Sequence, residues 1–141
     1  MENIIASFKK TNPTEIIDKG ELVEISIIDQ GITKCKTEYS RLAIGVAADK
    51  FVRKNNIVYF YQGRDINEEV QESLNVIVNG VATVKVLGHV NIGDLLISSE
   101  EPGKAKAARY QEDNSNIGRI LGKVIQYTDK DDEVIAIINF S

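Results

Sequence analysis

The chain of 141 residues is short of the residues that most chemistry needs, with one cysteine, Cys35, and one histidine, His89. A single cysteine excludes an intramolecular disulfide and a cysteine-built metal cluster within one chain, and folding in a reducing cytoplasm follows naturally. A single histidine means that any Ser-His-Asp or Cys-His arrangement has to use His89, which stands beside Gly88 with no nucleophile elbow nearby.

Two further features are missing. The start, Met1-Glu2-Asn3-Ile4-Ile5, lacks a secretory signal's basic residues and long apolar run, and no stretch approaches the roughly 18 apolar residues of a membrane span. A net charge of −4 and a pI near 5.1 give no general attraction to a phosphate backbone, which depends on clustered Lys and Arg. A soluble product with neither a membrane nor a direct nucleic-acid partner is expected.

What is present is strand pattern, with few convincing helices. The 43% hydrophobic content suffices for one core. From Glu21 to Ile28, Val23, Ile25 and Ile27 share one face of a half-buried strand, closed by the turn residues Asp29-Gln30-Gly31. Asn56 to Tyr61 is β-branched and aromatic, and reads as a strand covered on both faces. Asp65 to Glu72 is an acidic connector or short helix. Asn75–Val78 and Val81–Leu87 flank Asn79-Gly80, the pair that a two-residue hairpin turn demands. Ile120–Tyr127 and Glu133–Phe140 flank a polar turn at 128–132, and the last strand reads as buried on both sides.

The fold class is therefore mostly β, a sandwich or a barrel. Residues 1–19 read as an N-terminal arm, 20–73 as a first β lobe with a connector, and 74–141 as a second β lobe. A repeat underlies the two lobes: Gly20-Glu21-Leu22-Val23 recurs as Gly93-Asp94-Leu95-Leu96, and Ile44-Gly45 as Ile117-Gly118, both 73 residues on. Each unit opens with a glycine that permits a tight turn, an acid able to cap that turn's N–H groups, and aliphatic residues entering the core.

The stretch Val84-Lys85-Val86-Leu87-Gly88-His89-Val90-Asn91-Ile92-Gly93-Asp94-Leu95-Leu96-Ile97-Ser98-Ser99, continuing through Pro102-Gly103-Lys104-Ala105 to Ile120-Leu121-Gly122-Lys123-Val124, resembles a β-module of bacteriophage virion proteins. That module occurs in tail-fibre, head-fibre and capsid-decoration proteins, and the resemblance covers about the last 60 residues. A tail fibre carries it as a small part of a longer chain, so the length of 141 residues favours a capsid decoration protein.

The resemblance implies a homotrimer on the outer surface of a phage capsid, made in the host cytoplasm, whose partner is the major capsid protein and whose contacts hold capsid subunits together. A self-cleaving tail-protein assembly domain and a host-adhesion module are the alternatives. In the first reading Gly20, Glu21, Gly93, Asp94, Pro102, Gly103, Gly118 and Gly122 are structural turn residues. Phe8, Lys9 and Lys10, on a mobile arm, are candidates for anchoring to a neighbouring capsid subunit.

No catalytic, cofactor-binding or metal residue is assigned. Cys35, between Lys34 and Lys36, reads as an inward-facing strand residue, and Ser98-Ser99 as part of a plain loop. The acids at 129–133 lack the glycine and distal glutamate of a calcium-binding EF-hand loop. Lys104, Lys106 and Arg109 form the one notable basic cluster. Tyr110 and Tyr127 are the aromatics available to an adhesion surface.

Overall fold

The computed structural model describes residues 3–48, 57–60, 73–108 and 121–139, with the backbone alone for 57–60 and Ser73. The strands are β1 (Asn3–Lys9), β2 (Leu22–Ile25), β3 (Ile32–Lys34), β4 (Ala43–Ala47), β5 (Ile57–Phe60), β6 (Ser73–Lys85), β7 (Leu95–Ser98), β8 (Ala105–Ala107), β9 (Gly122–Tyr127) and β10 (Glu133–Asn139). There is no helix among the described residues.

One continuous sheet runs β3-β2-β4-β6-β10-β9-β7-β8, and β1 pairs with both β6 and β5. The order reads alike from either end: β3-β2-β4-β6 meets β8-β7-β9-β10 along the β6–β10 ladder. The sheet curls into a half-barrel instead of forming two packed sheets, so the barrel reading holds and the sandwich does not. Its two ends meet where the Leu22 N–H donates to the Gly103 carbonyl at 2.8 Å and the Gly103 N–H to the Cys35 carbonyl at 2.9 Å.

Curling encloses one main core, drawn from both halves of the chain: Leu22, Val46, Val84, Leu96, Leu121, Val124 and Ile138 are buried to 1% exposure or less. A smaller cluster of Val23, Ile32 and Val76 is packed around by Phe8, Ile17, Ile25, Ile44, Leu74 and Val78. At about 25 cal/mol per Å² of apolar surface, each such side chain contributes roughly 1.5–3 kcal/mol relative to exposure.

Asn79-Gly80 is not a hairpin turn. β6 runs straight through it for 13 residues, because each half of the strand finds a better partner than the other half. β1 takes the stretch 73–79 and β10 takes 79–85, and Asn79 pairs with both, with Ile4 and with Asn139. The register shifts there, Ile4 facing Asn79 and Ile5 facing Ile77, which marks a bulge. The bulge also resets the alternation, so Ile77 and then Ala82, Val84 and Val86 all face the main core.

Gly80, at φ +133°, leaves room at this junction for the Asn3 side chain. The Asn3 amide accepts from the Val81 N–H at 2.9 Å and donates to the Val81 carbonyl at 3.1 Å, tying the start of β1 to β6 beyond the bulge. Replacing Asn3 by Ala leaves both half-buried groups unpaired and is expected to cost about 1–3 kcal/mol, read as a lower urea midpoint.

Residues 3–9 are thus a sheet strand and not a free arm. Ile5 is 2% exposed, Phe8 packs on the smaller cluster, and the Lys10 ammonium donates to the Glu15 carbonyl at 3.1 Å. Hydrophobic burial and ladder bonds to β6 hold this segment to its own chain. The free edge of β3 is covered in the same region: the Thr11 N–H donates to the Ile32 carbonyl, and the Glu15 carboxylate accepts from the Thr33 hydroxyl and the Lys34 N–H.

Strand β2 ends at Ile25, short of the expected Ile28. The Ser26 N–H donates to the Gly31 carbonyl at 2.8 Å and the Ser26 hydroxyl accepts from the Ile28 N–H, so the chain turns before Ile27 reaches a core face. β10 has Val134, Ala136 and Ile138 buried, with Ile135 and Ile137 half-buried on the other face. The expected connector at 65–72 lies outside the described residues, as do Ile120 and Phe140 and the faces of β5.

Candidate functional site

The repeated turn has the same geometry in both copies. Gly20 and Gly93 adopt φ +91° and +94°, conformations that favour glycine. The Asp18 N–H donates to Glu21 Oε1 at 2.6 Å, and the Asn91 N–H to Asp94 Oδ2 at 2.8 Å, so each acid caps its turn. The backbone bonds correspond as well: Gly20 N to Ala47 O matches Gly93 N to Val124 O, and Cys35 N to Leu22 O matches Ala108 N to Leu95 O.

Strand pairing identifies the counterpart of Gly45. Gly45 faces Val23 and Gly122 faces Leu96, so Gly122 takes the place that the sequence spacing assigned to Gly118, which lies outside the described residues with Ile117. Both glycines let a backbone pass close, Gly45 against the Ile77 carbonyl and Gly122 against the Ile137 carbonyl. Direct alignment of the sequence missed this because the segment before β9 is four residues longer than that before β4.

Pro102-Gly103 forms the corner where the two ends of the curled sheet meet. Gly103 has φ +79°, and a side chain there would meet Glu21 Oε2 at 2.7 Å. Glu21 is itself 8% exposed and lies 3.7 Å from the Lys34 ammonium. The turn motif therefore joins the two halves as well as shaping each one.

The candidate nucleophiles are bound into the scaffold. The Ser98 hydroxyl donates to the Thr37 carbonyl at 2.8 Å and accepts the Ser40 N–H at 2.7 Å, and the Ser99 hydroxyl donates to the Lys104 carbonyl at 2.7 Å. Both serines are buried. His89 is exposed, its Nε2 2.9 Å from Asn91 Oδ1, away from either serine's hydrogen-bond partners.

Cys35 follows the end of β3 and is fully buried in the main core. Burial, with the nearby Glu24 charge, pushes its thiol far above the ordinary range, so the flanking lysines do not activate it. A thiol reagent at pH 8 is expected to leave the native protein unlabelled and to react fully in denaturant; fast native labelling would contradict this core position.

Among the basic residues, Lys106 lies 2.9 Å from Glu38 and 3.0 Å from Glu100, and Lys104 3.3 Å from Glu101, while Arg109 lies outside the described residues. Tyr127 is 50% exposed and its hydroxyl accepts from the Ile92 N–H at 3.4 Å; Tyr110 is outside the described residues. The 128–132 segment is a turn organised by the Thr128 hydroxyl, which donates to the Glu133 carbonyl and accepts from the Lys130 N–H. No group of three or more metal-ligating side chains occurs among the described residues.

The surface feature that sequence reasoning missed is the β2–β3 tip. Ile27 and Ile28 are 80% and 90% exposed at its end. The tip is braced by hydrogen bonds: Asp29 Oδ1 accepts from the Gly31 N–H at 3.0 Å and from the Thr11 hydroxyl at 2.9 Å. These bonds hold the Asp29 carboxyl below its usual range, so its support of the turn is complete above about pH 4 and is lost as pH falls through the lowered value. Ile27 on this braced turn was legible only as strand, since its alternation with Ile25 continues the β2 pattern.

No protein-family model matches the chain, and no curated protein matches it by sequence. Its fold, however, is found among solved structures. The C-terminal fragment of bacteriophage phi29 gene product 12 superposes with a TM-score of 0.60 at 13% identity, covering 99% of this chain and 100% of the fragment. The chain shares its fold with a bacteriophage protein. The pre-mature form of the same gene product 12 matches with a TM-score of 0.60 at 14% identity, and there the chain spans 21% of the phage protein's length. The phi29 head fiber gp8.5 N base matches less closely, with a TM-score of 0.49 at 16% identity over 96% of this chain and 94% of that one. The phage β-module resemblance seen in the second repeat thus extends, as fold, to the whole chain. Length does not separate a decoration protein from a part of a longer one, because this fold occurs as a fifth of gene product 12.

Proposed function

We propose that the chain is a structural module of a bacteriophage particle, working through its surfaces and without enzymatic activity. The observation that carries this reading is the match over 99% of the chain to a complete phage fragment. In its finer form, the module binds the outer surface of the capsid as a homotrimer and stabilises contacts between major capsid proteins by apolar burial and many weak polar contacts.

Co-sedimentation with capsids tests this form. Saturable binding to purified capsids, with a light-scattering mass of three copies for the free protein, is the expected result; a monomer that stays in the supernatant overturns it.

A second reading is favoured by one observation: the matched unit is a C-terminal fragment of a protein about five times as long, solved in a pre-mature form. In that reading the chain serves as the assembly module of a longer virion protein, and the self-cleaving alternative belongs here. Intact-mass measurement separates the two: a single species near 15.6 kDa supports the non-enzymatic module, and discrete fragments that vanish on substituting one nucleophile support self-cleavage.

A further inference from the structure

The β2–β3 and β7–β8 turns are built alike. The Ser26 N–H donates to the Gly31 carbonyl as the Ser99 N–H donates to the Lys104 carbonyl. The two serine hydroxyls each accept the N–H two residues on, of Ile28 and of Glu101. Gln30 and Gly103 hold the same left-handed place, at φ +60° and +79°, and the cross-strand pairs behind the turns correspond, Ile25 with Ile32 and Ser98 with Ala105. What differs is the corner shown to solvent. The second turn carries the exposed acids Glu100 and Glu101, and the first carries Ile27 and Ile28, 80% and 90% exposed. The fold does not ask for apolar residues at this corner, since a pair of acids satisfies the same turn.

Three properties of the corner say what would cover it. The Ile28, Gln30 and Gly31 N–H groups are all used within the turn, so drying it strands none of these donors. The one charge within residues 26–31 is the exposed Asp29 carboxylate, which disfavours a hydrocarbon layer and calls for a cation opposite it. Two isoleucine side chains cover far less than the roughly 800 Å² per partner of a stable two-body complex, so the corner suits one contact among several on a larger assembly.

We propose that the Ile27-Ile28 corner is a docking plug for a different protein of the phage particle, whose socket is apolar and carries Lys or Arg on the rim facing Asp29. The inference rests on the reading of the chain as a module of such a particle. The two isoleucines supply the apolar burial, and the Asp29 charge sets the orientation in which the corner enters.

Quantitative co-sedimentation of the full chain with purified capsids tests it. Ile27→Glu with Ile28→Glu, the pair that the second turn carries, is expected to keep the circular dichroism and urea midpoint of the wild type while weakening binding about tenfold or more. Asp29→Asn keeps an oxygen able to accept from Gly31 and Thr11 but loses the charge, so it should weaken binding and flatten its salt dependence. Glu101→Gln, at the same corner of the other turn, should leave binding unchanged. Ile27→Ser with Ile28→Ser replaces the glutamate pair if that variant is unfolded. Wild-type affinity retained by the double variant, or an equal loss in Glu101→Gln, overturns the plug and leaves the particle reading standing. A wild-type chain that ignores capsids overturns both. Binding to phosphatidylcholine–phosphatidylglycerol vesicles that the double substitution abolishes overturns the socket in favour of a bilayer.

Discussion

Substituting valine for Gly122 is expected to unfold the protein or lower its stability by more than about 3 kcal/mol, a large part of the 5–15 kcal/mol that a domain of this kind holds. The first carbon of a side chain there points directly at the Ile137 carbonyl, with Ile137 C at 3.0 Å and Ile138 Cα at 3.3 Å. These are backbone atoms of β10, a central strand laddered on both edges, and they cannot move aside as a flexible side chain can. β9 must separate from β10, losing ladder bonds and opening the core over Val124 and Ala136. Gly45→Val should cost a similar amount, because it meets the Ile77 carbonyl on β6 and Val76 Cγ1 at 2.7 Å.

Gly88→Ala is the control. Its Cβ meets nothing within 4 Å, so only the φ of +77° penalises it, by about 1–2 kcal/mol. Urea unfolding of the three variants decides the matter, and a Gly122 variant no weaker than Gly88→Ala would show that β9 and β10 are not so closely laid.

The second large effect is a contrast between two equivalent leucines. Leu22→Ala should cost about 2–5 kcal/mol, since Leu22 is fully buried in the main core and its removal leaves a cavity under β2. Leu95→Ala, at the same place in the second repeat, should cost less than about 1 kcal/mol in dilute monomer, because that side chain is already 40% in water. Equal costs would mean that the halves pack alike.

Local chemistry was legible wherever it is made by neighbours in sequence. The glycine-acid turns at Gly20 and Gly93 read correctly because a positive φ and a carboxylate three residues from an open N–H are local requirements. The 128–132 turn and the strand at 133–139 read correctly for the same reason. Asn79-Gly80 misled because the same dipeptide serves a hairpin or a bulge, and the choice depends on whether a distant strand competes for the edge. Here β1, more than 70 residues away, does so through Asn3.

The sequence by itself therefore determined a mostly β chain and a turn motif used twice, since alternation, glycine and capping acid act over a few residues. Only the tertiary structure decided which copy is buried and which is exposed. The bulge in β6 resets the alternation between the halves and the curl of the sheet brings Gly103 onto Leu22, leaving Leu95 and the Ile27-Ile28 tip outside. Burial is a property of what arrives from elsewhere in the chain, and two near-identical motifs cannot report it locally.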